Sequence, residues 1–78
     1  MATEDEQMAT QLLRTGATVP EQQQALSWLA DYCEESYILN LPPASKVLLA
    51  LDRFSRKTQA DPALARRAAK LYRQYQLR

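Results

Sequence analysis

Apolar residues recur along this chain at steps of three and four, and no alternating run lasts more than a few positions, so the pattern is helical throughout. The longest patterned run covers residues 18–39. Leu26, Leu29, Cys33 and Tyr37 form one row, and Ala25, Trp28 and Tyr32 form a second beside it. Together they make an apolar face wide enough to be wrapped by neighbours on two sides. Thr18 followed by Glu21 has the spacing of a capping box, and Pro20 falls in the first turn, where its missing N–H costs nothing. At the other end, Asn40-Leu41-Pro42-Pro43 cannot continue a helix and marks the sharpest break in the chain.

Three further helices are predicted around that run. Thr3 and Glu6 give a second capping-box spacing, opening a helix over 3–15 with Met8, Leu12 and Leu13 on one side and Gly16 as a left-handed stop. A third helix is expected over 43–57, with Val47, Leu48, Leu51 and Phe54 as its stripe and Ala44 and Ala50 adding small surface. A link at 58–60 leads to Asp61-Pro62, a cap followed by proline at the first helical position, and a fourth helix over 61–76. That helix carries Leu64, Ala68, Leu71 and Tyr75 in line, with Ala65, Ala69 and Tyr72 alongside, and the last residues to Arg78 are expected to fray. Short connections make successive helices roughly antiparallel neighbours. The expected fold is a single all-α domain over 1–78: three longer helices and one short N-terminal helix.

Size sharpens this picture. A chain of 78 residues buries only about 60% of its unfolded surface or a little more, leaving a thin margin of stability. Natural chains of this length usually add a crosslink, a metal or a partner. One Cys forms no internal disulfide, and without any His it assembles no zinc site. Association with another protein, or with a second copy as a homodimer, is therefore the expected supplement, with a compact monomeric bundle as the alternative. No apolar run approaches the length of a membrane span, and the acidic start, Met1-Ala2-Thr3-Glu4-Asp5-Glu6, lacks a signal-peptide core. A lone thiol fits a cytoplasmic address.

The net charge of +1 hides a split. Residues 1–39 hold seven acids against Arg14, a net −6, whereas residues 40–78 hold nine bases against Asp52 and Asp61, a net +7. Such a division either holds the two halves together or presents a basic face to an acidic partner.

Enzymatic parts are missing: there is no His, no glycine-rich phosphate loop, and no Ser or Cys with a base at motif spacing. Glu34 and Glu35 are adjacent, so they diverge by about 100° around a helix and share no site. No catalytic, cofactor-binding or metal-binding residue is assigned, and no small-molecule substrate is expected. Cys33, on the apolar face, reads as an inert buried thiol, with a redox or interchain role as the competing reading. The aromatic residues Trp28, Tyr32, Tyr37, Tyr72 and Tyr75 are core residues by default. They are also the candidate protein interface, since so small a domain has little room to bury them all. The bases Arg53, Arg56, Lys57, Arg66, Arg67, Lys70 and Arg73 are candidate contacts for an acidic partner or for nucleic acid. Their bland reading is a solvated face partly paired with the acidic half. A helix-turn-helix reading of the last two helices lacks the turn glycine and base-reading Asn, Ser or Thr on the fourth helix.

The segment from Asn40 to Leu51, with Lys46 ahead of an apolar run and Asp61 fifteen positions later, resembles the middle of the small enterobacterial biofilm and acid-resistance regulators. That resemblance implies an all-helical dimer. Pro42, Pro43 and the Arg-rich tail depart from it, so no functional residue is carried over. The sequence thus points to a non-enzymatic regulator or adaptor acting through helix-mediated protein contacts. The alternative is a small DNA- or RNA-binding regulator using the third and fourth helices.

Overall fold

Thr18 closes the capping box that its spacing predicts. Its hydroxyl accepts from Glu21 N–H at 3.4 Å, and Glu21 Oε1 accepts from Thr18 N–H at 3.0 Å. Two donors that a helix start leaves orphaned are thereby satisfied, and a 20-residue helix, Val19–Ile38, follows. The chain as a whole, in a computed structural model that describes residues 3–57 and 60–76, has four helices in the order α1 (Glu4–Leu13), α2 (Val19–Ile38), α3 (Ser45–Ser55) and α4 (Pro62–Gln76). The expected link at Thr58 and Gln59 and the fraying expected at 77 and 78 lie outside the described residues.

The ends of the helices differ from expectation in instructive ways. Thr3 sits at the α1 cap with extended backbone but makes no side-chain cap bond, so the spacing there does not produce a capping box. Helix α1 stops at Leu13, with Arg14 already extended; Gly16 does take a left-handed φ of 82°, but in the turn beyond. Helix α3 begins at Ser45 rather than 43, because Ala44 is extended at its cap. Asp61 behaves as predicted: its carboxylate accepts from Ala63 N–H and Leu64 N–H at 3.0 and 3.4 Å, opening α4 at Pro62.

Direction follows from contacts between ends. Gln11 donates to the Glu21 carbonyl at 2.8 Å, placing the end of α1 beside the start of α2, so the two run antiparallel. Lys46, at the start of α3, reaches Glu6 near the start of α1 at 3.4 Å. Lys57, just beyond α3, donates to the Leu13 carbonyl at the end of α1 at 3.2 Å. Helices α1 and α3 therefore run the same way. Helix α4 returns after the short connection from Ser55 to Pro62, so it points along α2. The edge-on packing of Tyr37 against Tyr75, 6.5 Å between centroids near both C-terminal ends, agrees. The molecule is two antiparallel hairpins laid side by side, with principal contacts α1 on α2, α3 on α4, α1 on α3 and α2 on α4.

Leu12, Leu26, Leu29, Cys33, Val47, Leu51 and Phe54 are sealed in the core, with Ala25, Leu64, Ala68 and Tyr75 beside them. One row differs from the sequence pattern. After Cys33 the buried position is Ser36, and Tyr37 turns outward with 59% of its surface exposed. The step from 33 to 36 or to 37 is equally helical, and α4 decides between them: the Tyr75 ring sits edge-on to Tyr37 and closes the core itself.

Candidate functional site

Helix α2 ends in a Schellman motif. Asn40 takes φ 57°, its N–H donates to the Tyr37 carbonyl at 3.0 Å, and Leu41 N–H donates to the Ser36 carbonyl at 2.9 Å. Asparagine tolerates this left-handed geometry because its short polar side chain can bond locally. The turn and the two prolines after it fix a corner of backbone. On that corner stand Tyr37, Ile38, Leu39 and Leu41, 59, 72, 58 and 56% exposed. Only Val19 and Leu49 are otherwise large, apolar and exposed among the described residues, so the apolar surface is concentrated here. Grouped exposure of this kind is less common on monomeric proteins than scattered single apolar residues.

The aromatic candidates divide. Tyr37 belongs to the corner. Trp28 and Tyr32 stack face to face, 5.7 Å apart at 12°, half-buried against the core. Tyr72 is likewise half-buried on the core, and Tyr75 is buried, so its ring packs inward. The residues that sequence reasoning missed are Ile38, Leu39 and Leu41. A signal was available: three aliphatics crowded against Asn40 and the prolines, beyond the last turn that could bury them.

Charged side chains form two stripes. On α2, Asp31, Glu34 and Glu35 are exposed at the i, i+3, i+4 spacing of one helix face, and Ile38 continues that face one turn on. On α4, Arg66, Arg67, Lys70 and Arg73 are all exposed, and the helix holds no acid. Three ion pairs occur among the described residues: Arg14 with Glu21, Lys46 with Glu6, and Arg56 with Asp52. None engages either stripe. Among the described residues the charge division of the sequence is thus bridged only by Lys46 and Glu6, and both stripes are exposed.

The remaining bases lie elsewhere. Arg56 and Lys57, with Arg14, Gly16 and Gln22, line an open cavity of about 540 Å³ at the far end of the bundle from the corner. Each of its cations is engaged, by Asp52, the Leu13 carbonyl and Glu21 respectively. Arg53 borders a smaller groove of about 250 Å³ between α1 and α3, with Lys46 and Leu49. Cys33 is wholly buried, and that burial pushes its thiol up to about 11. The opposite shift occurs at Glu21, whose carboxyl is held below its ordinary value by the Thr18 backbone N–H, then by the Thr18 hydroxyl, with the Arg14 charge adding to both.

No group of metal-ligating side chains comes together among the described residues, and no helix among them is long and apolar enough to cross a membrane. Compared with known proteins, the chain matches no family model, no curated protein and no solved structure.

Proposed function

We propose that this chain is a small non-enzymatic regulator or adaptor that works by docking a protein on the apolar corner at 37–41. One observation carries the reading: four large apolar side chains stand mostly in water on a turn already fixed by hydrogen bonds. Burying them on a partner recovers hydrophobic free energy, and a rigid turn loses little entropy in the process. The corner replaces the stacked aromatics as the anchor, since Trp28 and Tyr32 already spend much of their surface on the core. A cytoplasmic site of action goes with this reading, on the strength of the single unpaired thiol.

A photo-crosslinking side chain introduced at Ile38 is expected to yield a protein adduct in cells, and the same group at Gln23, on an exposed polar part of α2, is expected to yield none. Equal yields at both positions, or none at either, would refute the docking site.

A second reading is supported by α4, whose exposed side is cationic without an acid among its residues. In that reading DNA or RNA is held through phosphates, and affinity falls steeply with salt. Replacing Arg66 and Arg67 by Glu is expected to remove binding to a mixed-sequence duplex at low salt. Binding unchanged by that replacement would dispose of the nucleic-acid reading.

A further inference from the structure

We infer that the partner docked by this chain is a second copy of itself, placed so that the acidic stripe of α2 lies on the basic stripe of α4 in both directions. The inference rests on the protein-docking reading and specifies its occupant.

Helices α2 and α4 are neighbours that run the same way, with Tyr37 and Tyr75 level near their C-terminal ends. Counting back from that level, Glu34 and Asp31 stand three and six residues before Tyr37, while Lys70 and Arg67 stand five and eight before Tyr75. At 1.5 Å per residue the acids and bases occupy overlapping heights, offset by only about 3 Å. The two neighbouring helices therefore carry a negative stripe and a positive stripe at overlapping heights, and in the proposed pairing both stripes turn toward one shared face.

A two-fold axis lying along the helices, in the plane of that face, sets α2 of each copy opposite α4 of the other. Acid then meets base twice, as a self-complementary interface requires. The same operation keeps height unchanged, so the corner of each copy lands against the C-terminal end of the partner's α4. The apolar surface and the charge pattern are covered together. Within one chain these stripes make no ion pair with each other among the described residues, and a net charge of only +1 sets no general repulsion against pairing. The area is within reach too: a standard interface takes roughly 800 Å² per partner, against a total surface of 5377 Å².

Sedimentation velocity of the full chain at low salt tests this. The wild type is expected to sediment at twice its 8.9 kDa mass. One variant carries Asp31→Lys and Glu34→Lys; the other carries Arg67→Glu and Lys70→Glu. Each alone is expected to be weakened about tenfold or more in self-association, because the reversed side chains then meet like charge across the interface. Mixed together, the two variants are expected to recover a heterodimer, since reversed acids then meet reversed bases and native stripes meet each other. Recovery on mixing also shows that both variants are folded. A wild type that stays monomeric at all concentrations overturns the inference. So does a dimer indifferent to both variants, or a mixture that fails to recover. In those cases the adduct at Ile38 still decides the docking reading by itself: an adduct with a different protein keeps the corner as an interface, and no adduct removes it.

Discussion

The phenol oxygen of Tyr32 accepts a hydrogen bond from the backbone N–H of Ala44 at 3.1 Å. The bond ties the side of α2 to the cap of α3 and fastens the chain just after Pro42 and Pro43. The N-terminal groups of a helix need partners, and Ala44 has no side-chain oxygen with which to cap its own helix. Tyr32 does from another helix what the Glu of a capping box does locally, accepting from the N–H of the cap residue. Replacing Tyr32 by Phe keeps the stack on Trp28 and removes only this bond, so a loss of about 1 kcal/mol is expected by urea unfolding. A loss well below that would show that the bond does not hold the junction.

At the other end of α2, Thr18→Ala is expected to cost about 1 kcal/mol and to lower the melting temperature by roughly 4–8 °C. The pH dependence has a definite sign. Because folding lowers the carboxyl pKa of Glu21 below its ordinary 4.5, its contribution is present above that value and fades as pH falls through the folded one. Melting profiles between pH 6 and 3 are expected to drop less in Thr18→Ala than in the wild type.

Cys33 should behave as a hydrocarbon until the protein opens. Its thiol pKa, raised by burial from 9.0 to about 11, leaves almost no thiolate at neutral pH. Iodoacetamide labelling is expected to be negligible in the folded chain and rapid in urea, with the rate tracking unfolding. Here the neutral form is the one favoured by folding, so the stability it contributes is intact below pH 9 and declines from 9 toward 11. Fast labelling in buffer would place the thiol at the surface.

Asn40 separates conformation from composition. At φ 57° most residues with a Cβ pay roughly 1–2 kcal/mol, asparagine pays less because its side chain can bond locally, and glycine pays none for the geometry. Asn40→Gly is expected to leave stability near the wild-type value, and Asn40→Val to lower it by about 1–2 kcal/mol in thermal melts. The reverse order would mean that the turn at 37–41 is not held in the left-handed form.

Much of the architecture was legible because it is written locally. Thr18 with Glu21, Asp61 with Pro62, and the rows through Leu26, Leu51 and Leu64 each needed only their own neighbours in sequence. Thr3 shows the limit, since the same spacing as Thr18 made no cap bond. Tyr37 shows another. Whether a wide helix face buries position 36 or 37 depends on the side chain brought by α4, and periodicity carries no information about that. The corner was missed for a related reason: Ile38, Leu39 and Leu41 fall outside both apolar rows of the long helix, and their exposure, 72, 58 and 56%, depends on how the other helices pack. The stripes on α2 and α4 were visible as composition, but their common height required knowing that the two helices run the same way.

The division into two antiparallel hairpins has a kinetic corollary. Two of the four principal contacts, α1 on α2 and α3 on α4, join helices that follow one another directly in sequence, which keeps much of the contact order low and places the chain among fast-folding helical proteins, in the microsecond-to-millisecond range. The docking of α1 on α3 and of α2 on α4 joins residues farther apart in sequence, so those contacts carry the larger loop-closure cost.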